Sequence, residues 1–169
     1  MADIQEASLY DRDFCEWANG QARAVRVLRD ATSGQGNLPG ALENLDWEHL
    51  IEELEDLAGR HRSELRCRIA TIAEYLVKLE LSQEAGPRPG WRETVRRFRL
   101  EIDLLLVQSP SLRREVPGIP EMALMAKVAK NAVETLADLG EVPARTTAPT
   151  YTEVQILEDW WPAQGGNGA

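Results

Sequence analysis

Apolar residues between Trp47 and Leu79 return at three- and four-residue steps without a slip in phase. Stepping about 100° per residue from Trp47, Leu50, Ile51, Leu54, Leu57 and Ala58 fall within roughly 60–80° of it. His61, Leu65, Ile69, Ile72, Leu76 and Leu79 continue the same stripe past Gly59. A loop at Gly59 would reset that phase, so the pattern predicts one helix over 46–81, bent at most at Gly59. It would be N-capped by Asn44 or Asp46 and roughly 50 Å long. A glycine in a helix interior costs about 1 kcal/mol relative to alanine. Glu84–Gly90, with two prolines and two glycines, ends the helix.

The flanking pattern is helical too. Ser8 with Asp11 is an acidic variant of the capping box. Tyr10, Phe14, Trp17, Gln21, Ala24 and Leu28 follow at helical steps, which predicts a helix over 9–29. Ala31–Gly40 reads as a loop and as the internal segment most prone to disorder. A third helix carries Trp91, Val95, Phe98, Ile102 and Leu105 on one face and stops at Ser109-Pro110-Ser111. Pro117 and Pro120 bracket a connector, and Pro120 suits the first turn of a fourth helix. That helix turns Met122, Ala126, Ala129, Val133 and Leu136 inward, with Gly140 at its C′ position. Val142–Pro149 is irregular. Thr152 with Gln155 makes a capping box for a short helix ending at Trp160-Trp161-Pro162.

No strand alternation and no solenoid-period repeat competes with these elements. The fold class expected is therefore all-α: an antiparallel helical bundle of four main helices around one long central helix, plus a short C-terminal helix. It forms a single domain over 1–162, followed by a flexible tail at 163–169. Trp17, Leu50, Leu54, Ile69, Ile72, Phe98 and Ile102 are the expected core.

Composition narrows the setting. A chain of 169 residues, 43% hydrophobic and 28% charged, is that of one soluble globular domain. No apolar run approaches the ~20 residues that cross a bilayer. The opening M-A-D-I-Q-E lacks the regions of a signal peptide, so a cytoplasmic location with no membrane partner is expected. Cys15 and Cys67 match no metal spacing and read as reduced, incidental thiols. A net charge of −9 argues against nucleic acid as the partner.

Charge is segregated. Glu43–Ala58 holds seven carboxylates and no Lys or Arg. Arg60, Arg62, Arg66 and Arg68, then Arg88, Arg92, Arg96, Arg97 and Arg99, form basic segments. Their plainer use is complementarity to the acidic run within the bundle or across a dimer; the sharper one is a small-anion site using Arg66, Arg92 and Arg96. Asp46-x-x-His49 has the spacing of carboxylate-bridged metal bundles, and His49 with Glu53 and Asp56 is the candidate metal set. Yet His49 lies about 160–200° from the apolar stripe, and no second acid-x-x-His pair exists, so a solvated acidic face is the plainer reading. His61 lies about 30–40° from the stripe's midline, as a half-buried histidine hydrogen-bonded to a carboxylate or carbonyl, or as a ligand or acid–base group. No Ser or Cys nucleophile is spaced along the helix to work with it.

The motifs L-Y-D-R-D-F-C-E-W (9–17), L-D-W-E-H-L-I-E-E-L-E-D-L (45–57), S-P-S-L (109–112) and Q-I-L-E-D-W-W-P (155–162) occur in that order. In these the chain resembles the bacterial family known as domain of unknown function 29, over about residues 8–162. The resemblance implies an all-α fold and no particular activity. The chain departs from it in a longer first loop, Asp30–Leu42, and in carrying Tyr75 and Leu79 where members often have His and Trp. With no catalytic motif and no implied cofactor, the expected function is that of a non-catalytic helical interaction or scaffold protein, docking a protein partner or forming a homodimer. The rival is a metal-binding or small-anion-binding protein, or an enzyme, centred on His49 or His61 and the nearby carboxylates or arginines.

Overall fold

A computed structural model describes residues 8–33, 42, 44–119, 122–141 and 149–163, apart from the side chains of 122 and 123. The disorder expected after Ser33, most of the irregular stretch from Val142, the role of Pro120 and the tail beyond Ala163 lie outside the described residues. Among the described residues there are helices and no strand. They are α1 (Leu9–Arg12), α2 (Phe14–Thr32), α3 (Trp47–Leu81), α4 (Arg88–Gln108), α5 (Met122–Asp138) and α6 (Glu153–Leu157), with 3₁₀ turns at Pro110–Arg114 and Val116–Gly118. The chain is all-α, and its described residues form four main helices, a one-turn N-terminal one and a short C-terminal one. It divides into two compact units, Met1–Ser63 with Leu106–Leu112, and Glu64–Leu105 with Arg113–Ala169.

In the first unit α2 lies antiparallel to the first half of α3. The Cys15 thiol approaches the Ala58 carbonyl at 3.8 Å, Arg26 pairs with Glu55, and Arg29 Nη1 meets Glu48 at 2.7 Å. The acidic run therefore finds counter-charge on α2, and Arg60 adds a longer pair with Glu53 at 3.8 Å. Exposed pairs of this kind contribute little each.

The helix expected over 9–29 is broken at Asp13, whose backbone is extended (φ −157°, ψ 93°). Asp13 stops one helix because it caps the next: Glu16 N–H donates to its Oδ1 at 2.9 Å. Its carboxylate also accepts from Ser111, from the backbone N–H at 2.6 Å and the hydroxyl at 2.9 Å. α2 then runs on through Ala31 and Thr32, which the turn-rich composition assigns to the loop.

α3 is one helix of 35 residues with Gly59 inside it, as the unbroken phase predicts. Asp46 is its cap: His49 N–H donates to Oδ1 at 3.2 Å, and Leu50 N–H to the Asp46 carbonyl at 3.1 Å. Ile51, Ala58, Leu65, Ile72 and Leu79, seven residues apart, are all buried. The seam passes through Ile51 rather than Trp47, which corrects part of the expected core. Leu50 is 38% exposed, and Leu54 is half-buried, as are Trp17 and Phe98 on the neighbouring helices. Ile69, Ile72 and Ile102 are buried as expected.

In the second unit Arg68 reaches both Glu64 (2.7 Å) and Glu101 (3.0 Å), and Arg88 Nη1 donates to the Ser82 carbonyl at 3.1 Å. Falling numbers on α3 thus meet rising ones on α4, an antiparallel pair. α4 starts inside the expected connector, since Pro89 in a first turn lacks only an N–H that would have no partner there. α5 buries Met125, Val128, Ala129, Ala132 and Leu136, so its inner stripe is rotated from the expected one, with Ala126 exposed and Val133 half-buried. It closes on Gly140 (φ +79°), where Glu141 N–H donates to Leu136 O and Gly140 N–H to Ala137 O, both at 2.9 Å. That is a Schellman cap, and its left-handed residue favours glycine. The Thr152–Gln155 capping box is present, but α6 ends at Leu157, short of the tryptophans. Arg99 explains the early end, for it binds three carbonyls of this segment: Ile156 (2.9 Å), Gln155 (3.0 Å) and Trp160 (2.9 Å).

Candidate functional site

Among the described residues, a cluster of polar side chains stands beside a cavity in each unit. In the first, His61 on α3 is half-buried, with Nδ1 at 3.0 Å from the Ser109 hydroxyl. Its ring packs on Phe14 at 5.0 Å, and Phe14 belongs to an aromatic group with Tyr10 and Trp17. Tyr10, Asp11, Phe14, His61 and Gln108 line a cavity of about 310 Å³. One polar partner of His61 is thus a hydroxyl from 48 residues away. A histidine beside a serine suggests nucleophile activation, yet Ser109 is fully buried, and a hydroxyl closed to solvent cannot meet a substrate in this conformation. Ser109 and Ser111 instead bracket the turn that follows α4, with Ser109 O accepting from Leu112 N–H at 3.1 Å. The pair serves best as a polar latch.

The second cluster surrounds Trp161. The guanidinium groups of Arg92, Arg96 and Arg99 stand 5.2, 5.4 and 4.9 Å from its ring centre. Arg88, Arg92 and Arg96, at successive i+4 positions on α4, line a cavity of about 370 Å³ with Ala85 and Pro89. Arg88 and Arg99 are each 8% exposed, and Arg88 Nη2 and Arg99 Nη1 have no hydrogen-bond partner. Burial holds the Arg88 guanidinium below the ordinary arginine value, with the Arg92 charge acting the same way and Glu141 opposing. Burial does the same to Arg99, with Asp159 opposing.

Of the residues singled out from sequence, Arg92 and Arg96 are brought together. Arg66 is exposed on α3 and is not among the residues lining this cavity. His49, Glu53 and Asp56 are exposed. His49 Nδ1 lies 2.6 Å from the Asp46 carboxylate, a bond that raises the imidazole pKa and lowers that of the acid. Among the described residues no group of three or more His, Cys, Asp or Glu side chains is arranged to hold a metal ion. Ser109, Asp13, Arg88 and Arg99 are the positions that periodicity does not single out. The i+4 ladder from Arg88 to Arg96 is visible in sequence, but the Pro-Gly connector masks its first member.

Two of the motifs quoted above, L-Y-D-R-D-F-C-E-W and S-P-S-L, meet at the Asp13–Ser111 hydrogen bonds. The likeness extends to known proteins. No protein of curated function matches the chain. A solved alpha-helical protein of unknown function from Rhodospirillum rubrum ATCC 11170 is similar at 22% identity and a TM-score of 0.70, over 91% of this chain and 92% of that one. That likeness bears on the fold. The family model described as "Domain of unknown function DUF29" matches residues 9–161, and the chain belongs to that family.

Proposed function

We propose that the protein is a non-catalytic helical interaction protein that docks a second copy of itself through the outer face of α4. Leu100, Leu104 and Val107 carry this reading. They follow at i, i+4 and i+7 on one helix face and are 59, 57 and 69% exposed. Large apolar side chains in a row on a helix are the usual mark of a helix–helix contact. A closed two-fold pair is the commonest arrangement for such a surface. Three anchoring side chains suit a modest interface rather than a permanent one. The acidic run gives weaker support to assembly, since Arg26 and Arg29 already answer part of it within the chain.

Light scattering on the full chain, over a dilution series from about 100 µM downward, tests the reading. A mass rising towards twice 18.9 kDa is expected at the upper end, and Leu100→Glu/Leu104→Glu should abolish the rise while leaving the helical signal intact. A mass of one chain at every concentration, or an unchanged rise in the double variant, would overturn it.

A further inference from the structure

We infer that the cavity at the start of α4 binds a small anion of phosphate type, held by Arg92 and Arg96 with the buried guanidinium of Arg88 in its wall. The site shares no residue with the α4 face proposed for self-association. Its first warrant is an unanswered charge. Arg88 is more than nine-tenths buried, one of its terminal nitrogens donates to the Ser82 carbonyl, and the other has no partner. Among the described residues no carboxylate lies within 4.0 Å of Arg88, Arg92 or Arg96. Glu141 is the anion with a field at Arg88, and it is engaged by the Ser82 hydroxyl. A buried cation with no carboxylate beside it is costly, and an anion held in the adjoining cavity by Arg92 and Arg96 would offset that charge through its field rather than by contact with the enclosed Nη2.

The second warrant is the gathering of like charges around the same cavity. Arg92 and Arg96 stand close to the Trp161 ring, as does Arg99. Asp159, 4.0 Å from Arg99 and accepting from the Trp161 indole N–H at 2.7 Å, is the acid that touches this group. Like charges at i, i+4 disfavour a helix, a cost that an anion bound among Arg88, Arg92 and Arg96 would relieve. Arg88 lies in the first turn of a 21-residue helix, where the helix dipole favours an anion nearby. Its volume, about 370 Å³, is in the lower range for small-ligand pockets. A phosphate dianion offers several acceptor oxygens to planar guanidinium forks and cancels two charges, where a single carboxylate cancels one.

The experiment is a titration of the full chain with inorganic phosphate and, separately, with phenyl phosphate, each against sodium chloride at matched ionic strength. Melting temperature and tryptophan fluorescence are the readouts, because Trp161 lies against the two binding arginines. A saturable rise in melting temperature with phosphate supports the free ion as ligand; saturation with phenyl phosphate alone supports a phosphomonoester. Arg92→Gln/Arg96→Gln should weaken the binding at least about tenfold, and Arg66→Gln should leave it unchanged. Should the double variant fail to fold, Arg96→Gln alone, an exposed position, should still weaken it several-fold. Responses no greater than those to chloride, or an affinity unchanged in the arginine variants, would overturn the assignment.

Discussion

Removing the Asp13 carboxylate should unfasten α2 from the turn after α4 in the first unit. Three hydrogen bonds end on that one side chain: Glu16 N–H at 2.9 Å, Ser111 N–H at 2.6 Å and the Ser111 hydroxyl at 2.9 Å. Loss of an N-cap alone costs about 0.5–2 kcal/mol. Hydrogen bonds to a charged acceptor add about 1.5–3 kcal/mol each. Asp13 and Ser111 are half-buried, so water can replace part of what is lost, and Asp13→Ala should cost about 2–4 kcal/mol in all. Asp13→Asn keeps an acceptor for the cap and should lose roughly half as much. Urea unfolding followed by far-ultraviolet dichroism measures both, and a cycle with Ser111→Ala should show a coupling of about 0.5–3 kcal/mol. A loss below about 0.5 kcal/mol for Asp13→Ala, or strict additivity in the cycle, would show that α1 and α2 are separated by something other than this carboxylate.

Further outcomes follow from the same geometry. Ile72→Ala, in the centre of the buried seam, should cost about 2–5 kcal/mol, and Leu54→Ala, half-buried, clearly less; equal losses in urea unfolding would contradict the seam. Gly59→Ala should stabilise by up to about 1 kcal/mol, because an added Cβ meets nothing within 4 Å inside α3; destabilisation would contradict a regular helix there. Arg99→Met should free the segment after α6, read as faster amide exchange at 155–161 with α3 unaffected. His49 should titrate above its usual value of about 6.5, because the Asp46 hydrogen bond favours its charged form. The stabilisation this supplies is present below the unfolded-state value and fades as pH rises through the folded-state one. Proton NMR should show the midpoint falling back in Asp46→Asn, and an unmoved midpoint would refute the pairing.

Periodicity made the long helix legible because a 35-residue stripe fixes phase with little ambiguity, even across Gly59. The same signal misplaced Leu50 and Ala126, because a wheel gives the direction of an apolar face only to within about one residue and the neighbouring helices settle the rest. Asp13 was hidden for a different reason. Its effect depends on Ser111, 98 residues away, and no local pattern registers such a partner. The cavity was half legible. Arg92 and Arg96 stand out as helical neighbours, whereas Arg88 acquires meaning only through its burial and its bond to the Ser82 carbonyl. His61 is half-buried on the stripe, and its bond to Ser109, on the turn after α4, was beyond the reach of spacing.

The most direct test of the interaction reading is a methyl NMR comparison of the full chain at about 5 µM and 500 µM. The account predicts that the methyl signals of Leu100, Leu104 and Val107 shift or broaden with concentration, while those of the buried Ile72 and Leu105 stay fixed. Spectra identical at both concentrations, or changes confined to residues away from this face of α4, would contradict it.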